Sequence, residues 1–273
     1  MTRVIHISDT HLSAVKPHFV VNWAPLRDWI AQQDPALVIH TGDVTVDGAD
    51  LEDDFAFCAA CLAEVRHEVL SVPGNHDVGL PGSTHQPVTA ERLVRWTRHF
   101  GRDWWLRDIP GWRLLGIDAM LFGSGTPNEA EQRAWLEQAM QSAGARRLAW
   151  FMHQPLFLEH PDEPDTGYWS VKPAPRAELI QLVRRHQVAL VATGHLHRAH
   201  DVTLDGTRYL WCPATAFVVG PGMQPNMPGE KQLGAVFYQF SETGFTASQV
   251  TLDQLTVKWI DDVVHEVYPQ PGG

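Results

Sequence analysis

Five short blocks of oxygen and nitrogen donors lie between residues 9 and 197: Asp9-Thr10-His11, Gly42-Asp43, Gly74-Asn75-His76-Asp77, His153, and Gly194-His195-Leu196-His197. Read singly, each has a bland account. An Asp-x-His is commonly a turn closed by an Asx hydrogen bond, and a His-x-His at a strand end is commonly a pair of surface imidazoles. Together they supply two carboxylates (Asp9, Asp43), one amide (Asn75) and four imidazoles (His11, His153, His195, His197), without a thiolate. That set suits borderline or hard ions such as zinc, manganese, iron or cobalt. Seven donors exceed one tetrahedral ion but serve two if one carboxylate bridges. A pair of ions about 3.5–4 Å apart is the arrangement that clamps phosphoryl oxygens. Asp43, alone on its loop, is the bridge candidate.

Each block follows an apolar run of strand length: Val4–Ile7, Ala36–His40, Glu68–Val72, Leu148–Met152 and Ala189–Ala192. Helical patterns over 22–33, 51–65, 89–100, 128–140 (with Asn128 as its cap) and 176–186 alternate with these runs and with a further strand over 113–117. The alternation predicts βαβ units, and open α/β sheets place their sites beyond the carboxyl ends of strands. From Asp201 the pattern changes to short alternating strands over 207–211, 235–240, 245–250, 255–260 and 263–268. The expected architecture is α/β: one domain over 1–273, two sheets sandwiched between helices, with 201–273 mostly β and completing the second sheet. Val257, Trp259, Val263 and Val267 would form an exposed sheet edge on which a homodimer could pair. Three segments rich in Pro and Gly, 79–88, 159–175 and 219–231, are expected to be ordered loops or lids.

Composition narrows the partners. A formal charge of −11, with no Lys/Arg run longer than two, argues against a nucleic-acid polymer. Hydrophobic residues at 44% against 19% charged exclude a natively disordered chain. The amino terminus lacks the features of a secretory signal, and no stretch is long and apolar enough for a membrane span, so a soluble cytoplasmic protein is expected. Three cysteines make an odd set, and Cys58 and Cys61 fall within a helical pattern, where packing thiols are the expected reading.

The ordered series D-x-H, G-D, G-N-H-D, H and G-H-x-H resembles the calcineurin-like metallophosphoesterase superfamily, with all five blocks intact. The opening Ile7-Ser8-Asp9-Thr10-His11, the spacing and the length are similar to the branch of class III cyclic-nucleotide phosphodiesterases and glycerophosphodiesterases. The resemblance implies a four-layer α/β/β/α sandwich of two mixed sheets flanked by helices. It also implies two divalent or trivalent transition-metal ions (Fe, Mn, Zn or Co), the first held by Asp9, His11 and His197, the second by Asn75, His153 and His195, with Asp43 bridging. His76 would then be a non-ligand aimed at the leaving-group oxygen, Asp77 its support or a loop-fixing residue, and a metal-bridging hydroxide the nucleophile. The implied activity is hydrolysis of small phosphodiesters, either 3′,5′-cyclic nucleotides or glycerophosphodiesters. A phosphomonoesterase or phosphoprotein phosphatase of the same superfamily is the alternative, and a metal-free interaction module with the same fold stands third. Two divalent ions, two carboxylates and a hydroxide leave about one positive charge, a cationic pit in an acidic protein. His85, His160, Tyr168 and Trp169 sit on the candidate lids and are candidate substrate contacts, the two aromatic rings by stacking a base or enclosing a head group. Glu159, Asp162, Glu163 and Asp165 read as a solvated acidic face.

Overall fold

The computed structural model describes residues 1–268. Strands β1 (Thr2–Ile7), β2 (Leu37–His40) and β3 (Val69–Ser71) run parallel, joined by helices α1 (Trp23–Gln33) and α2 (Glu52–Ala63). A one-turn helix α3 (Asn75–Val78) and then α4 (Ala90–Phe100) lead to β4 (Trp105–Ile109) and β5 (Trp112–Ile117). Next come α5 (Pro127–Gln141), β6 (Arg147–Met152), α6 (Pro173–Arg185) and β7 (Leu190–Thr193). The chain ends with two hairpins, β8 (His200–Leu204) with β9 (Thr207–Trp211) and β10 (Gly234–Phe240) with β11 (Phe245–Thr251), followed by helix α7 (Ile260–Val267). One mixed sheet has the order β11-β10-β1-β2-β3, the other β4-β5-β6-β7-β9-β8.

Successive side chains of a strand point to opposite faces, and that period builds the layers. Val4, Ile39, Leu114, Phe151 and Ala192 meet in a core between the sheets, together with Val236, Tyr238 and Leu210. Their neighbours Ile5, Val38, Leu115, Trp150 and Val191 belong instead to the core shared with Leu26, Phe55, Leu136 and Val183 of the covering helices. Both faces of each central strand are therefore apolar, which is why these runs read as continuous hydrophobic segments. Truncating a fully buried member such as Phe151 to Ala would cost about 3–5 kcal/mol. The expected pair of mixed sheets flanked by helices is what forms.

Several expectations need correction. Residues 201–268, the described part of the span 201–273, do not complete the second sheet alone. β8 and β9 join it, but β10 pairs antiparallel with β1, placing Thr2 opposite Phe240, and so extends the first sheet. Residues 255–260 and 263–268 are not strands. Ile260, Val263, Val264 and Val267 are spaced i, i+3, i+4, i+7, and as α7 they pack that stripe against Phe19, Val46 and Phe217. Val257, Trp259, Val263 and Val267 therefore form no sheet edge, and Trp259 contributes one isolated bridge to Val218. Helix α5 starts at Pro127 with Thr126 in the cap position rather than Asn128, since proline's fixed φ suits the first turn. Cys58 and Cys61 are buried and free, as packing thiols.

Candidate metal centre

The donors follow the carboxyl ends of five strands: Asp9 and His11 after β1, Asp43 after β2, Asn75 after β3, His153 after β6, and His195 and His197 after β7. Tight reversals bring them together. Asp9, His11, Asp43, His195 and His197 all adopt left-handed backbone, with φ between 41° and 70°, a costly conformation for non-glycine residues that clusters at functional sites. Gly74 and Gly194 are needed for close approach. A Cβ on Gly194 would lie 1.8 Å from Ser8 Oγ, and one on Gly74 would lie 2.2 Å from Asp43 Oδ1. All seven donor residues are at most 5% exposed.

Two pockets result, each gathering imidazole nitrogens and carboxylate or amide oxygens around one point. In the first, Asp9 Oδ1 lies 3.3 Å from His197 Nε2 and 3.9 Å from His11 Nε2, and the two Nε2 atoms are 3.3 Å apart. His197 Nδ1 is 2.8 Å from the Phe217 carbonyl, which can only accept, so Nδ1 carries the proton and Nε2 a lone pair. Asp9 Oδ1 is buried and has no hydrogen-bond partner among the described residues. In the second pocket, His153 Nδ1 donates to the Thr41 carbonyl at 2.7 Å and His195 Nε2 to the Tyr168 carbonyl at 3.0 Å. His153 Nε2 and His195 Nδ1 face each other at 3.1 Å, and with both rings neutral each would present a lone pair there. Asp43 Oδ2 and Asn75 Oδ1 each lie 3.2 Å from that His153 nitrogen. Lone pairs crowded in this way repel unless a cation stands between them, so the residues fit a metal in both pockets. Asp43 Oδ2 also reaches within 3.7 Å of His11 Nε2, which sets it between the two.

Electrostatics points the same way. Burial opposes charge on Asp9 and Asp43, yet the imidazoles of His197 and His153 outweigh it and hold both carboxyls below their ordinary range. Burial likewise opposes charge on His153, but the Asp43 carboxylate overrides it and pushes the imidazole up to about 9. The cluster thus favours positive charge at that spot: in the metal-free protein a proton on His153 Nε2 supplies it, and a cation would displace that proton. His195 is driven down to about 3 by burial and by neighbouring His153, keeping its nitrogen free to coordinate.

His76 stands apart from the seven. Its backbone N–H donates to Asp43 Oδ1 at 2.9 Å, while its Nε2 lies 4.0 Å from Asp43 Oδ2 on a side chain 16% exposed, at the mouth of the cluster. Asp77 is a loop-fixing residue. Its carboxylate accepts from the backbone of Gly74, Val44 and Thr45 and from the Thr45 hydroxyl, tying the loops after β2 and β3 together. Burial, with Asp43 nearby, raises its carboxyl to about 7.

Of the four candidate substrate contacts, the structure brings two to the centre. The Tyr168 hydroxyl accepts from Asn75 Nδ2 at 3.0 Å, so the amide oxygen faces the pocket, and its ring lies 4.7 Å from that of His195, centroid to centroid. Trp169 lies 6.2 Å from the same imidazole. His85 and His160 are exposed, and among the described residues no hydrogen bond or ion pair joins either to a donor; His160 faces Asp162 at 3.8 Å. The acidic loop is not uniformly solvated, because Glu163 accepts from the backbone of Leu158, Glu159 and His160 and faces buried Arg176, which anchors the loop carrying Tyr168. Sequence reasoning missed Tyr268, whose hydroxyl is 2.8 Å from His11 Nδ1. It also missed the carbonyls of Thr41, Phe217 and Tyr168, which carry no side-chain signal.

The calcineurin-like phosphoesterase family matches residues 2–199, a span that contains every donor. The chain belongs to this family. A serine/threonine-protein phosphatase CPPED1 from Danio rerio is 35% identical over 141 residues, which are 50% of this chain but only 43% of that relative. A probable glycerophosphodiester phosphodiesterase GpdQ from Arcobacter nitrofigilis is 27% identical over 71% of each chain. The 3′,5′-cyclic adenosine monophosphate phosphodiesterase CpdA of Escherichia coli (strain K12) is 26% identical over 80% of this chain and 78% of its own. In fold, the chain is similar to a dimetal phosphatase from Danio rerio, with a TM-score of 0.64 at 14% identity, covering 92% of this chain and 96% of that one. No helix among the described residues is long and apolar enough to cross a membrane.

Proposed function

We propose that this calcineurin-like phosphoesterase is a dinuclear-metal phosphodiesterase acting on small diesters, 3′,5′-cyclic nucleotides or glycerophosphodiesters. The observation that carries the reading is the pair of buried donor pockets, Asp9-His11-His197 and Asn75-His153-His195, with Asp43 between them. Asp9, His11 and His197 would hold one transition-metal ion, Asn75, His153 and His195 the other, and Asp43 both; Fe, Mn, Zn and Co all suit such donors. When bound, such a pair acidifies a water and draws charge from the phosphoryl oxygens. Asn75 contributes an oxygen without a charge, which preserves attraction for an anion. His76, at the mouth, gives a proton or hydrogen bond to the departing oxygen, while Tyr168 and Trp169 wall the side occupied by the ester substituent.

The preference for diesters has its own support. Among the described residues, the ion pairs of the centre are all between imidazoles and carboxylates, with no Lys or Arg bonded to a donor, which leaves the proposed metals as the charge that meets a diester's single negative charge. The 35% identity to a relative named as a protein phosphatase favours the monoester alternative. Hydrolysis of bis(4-nitrophenyl) phosphate and of 4-nitrophenyl phosphate by metal-reconstituted protein, followed by a panel of cyclic nucleotides and glycerophosphodiesters, separates the two. A clear monoester preference would refute the diester reading, and elemental analysis showing no transition metal would favour the interaction module. Two further expectations stay with this reading: the sheets and their shared core form one domain, and the free, buried cysteines support a cytoplasmic setting.

A further inference from the structure

We propose that Tyr268 is a positioning residue of the first metal site, delivered there by α7; the inference rests on the dinuclear reading above. The family match ends at residue 199, so this part of the chain is read from its own contacts. Helix α7 docks through buried Ile260 and Val267 and is pinned by polar contacts at both ends. Asp261 Oδ2 accepts from the Gly220 N–H at 2.7 Å. Lys16 Nζ donates to the Val267 carbonyl at 2.8 Å and lies 3.3 Å from Asp47 Oδ2, while His18 faces Glu266 at 3.6 Å. The residue after that pinned carbonyl is Tyr268. Its hydroxyl oxygen is 2.8 Å from His11 Nδ1, and its ring is 4.4 Å from that of His76, tilted by 31°.

Both contacts bear on groups the chemistry uses. For His11 Nε2 to present a lone pair beside Asp9 and His197, the ring proton must sit on Nδ1 and needs an acceptor there. The phenolic oxygen can accept that proton and holds the ring's rotation; because a hydroxyl can also donate, it is a cation at Nε2 that would select this tautomer, whereas the Phe217 carbonyl selects it for His197 outright. The face of the same tyrosine limits the rotation of His76. One side chain returned from the end of the chain thus holds a metal ligand and the leaving-group histidine.

Tyr268→Phe keeps the ring against His76 and removes the acceptor for His11, whereas Tyr268→Ala removes both. Metal-free protein is titrated with Co2+, followed by calorimetry and by the visible absorption of the bound ion. Wild-type protein should show two binding steps. Tyr268→Phe should weaken one of them by about 10–100-fold and alter the absorption of that site while leaving the other unchanged. Tyr268→Ala should weaken the same step and lower kcat at saturating Co2+ below that of the Phe variant. If Tyr268→Phe bound Co2+ with wild-type affinities and spectrum, the proposal would fall and the dinuclear reading would stand. Wild-type protein that bound no Co2+ would overturn both.

Discussion

A histidine fixes a cation well only when its second ring nitrogen is engaged, and each of the four imidazole donors meets that condition with a different oxygen. His153 uses Thr41, His195 uses Tyr168, His197 uses Phe217 and His11 uses Tyr268. Asp43 is the proposed bridge between the two pockets. Asp43→Asn keeps the shape and removes the shared charge, so turnover of bis(4-nitrophenyl) phosphate at saturating metal should fall to background; activity within tenfold of wild type would remove the bridging role. His76 invites a sharper test because it should act only on the departing oxygen. Its replacement by Ala should cost about 10²–10⁴-fold in kcat/KM on alkyl diesters, whose alkoxide needs a proton, and far less on 4-nitrophenyl diesters, whose leaving group departs unaided. Equal losses on both would argue that His76 supports structure instead.

At the scale of elements, β1 and β2 carry a second buried demand beside the proposed metal ligands. His6 and His40 lie within them, fully buried, bonded through Nε2 to Thr41 Oγ1 at 2.7 Å and Thr10 Oγ1 at 3.0 Å. Burial, reinforced at His6 by neighbouring His40, drives His6 down to about 3, and burial drives His40 to about 4. Folded, both stay neutral where the unfolded chain, with the ordinary value near 6.5, takes up protons. Their contribution to stability is therefore whole above pH ~6.5 and is lost as pH falls toward 4, on the order of 3 kcal/mol for His40 alone. Urea midpoints of metal-free protein should fall across that window, and a flat profile between about pH 7 and 5 would contradict it. These elements were also the most legible in the sequence, because strands covered on both faces must be apolar throughout and the donors sit where such strands end. The chain beyond residue 200 was less so. Ile260, Val263, Val264 and Val267 fit a helical stripe as well as a strand, and burial against Phe19 and Phe217 decides between them. Nothing local to β10 marks β1 as its partner, and nothing local to Tyr268 reports that α7 aims it at His11.

For the whole molecule, the placement of donors has a mechanical consequence. The first sheet supplies Asp9, His11, Asp43 and Asn75, and the second supplies His153, His195 and His197. Each proposed ion therefore takes ligands from both sheets, clasping them at one edge while apolar packing joins them across the interior. Binding to the folded state alone stabilises by about 2.7 kcal/mol per ion at a free concentration 100-fold above Kd. For a chain of this size, two ions should raise Tm by on the order of 10 °C. Thermal melts of chelator-stripped protein with and without Mn2+ check this, and Asp43→Asn, which weakens both sites, should erase most of the gain. The clasp predicts where the change falls as well: hydrogen exchange of metal-free protein should quicken in the loops holding residues 9–11, 42–45 and 194–197 and stay slow in β5 and β6, whose protection comes from the apolar layers. A uniform change across both sheets would mean that the ions stabilise the fold globally and do not join its halves at that edge.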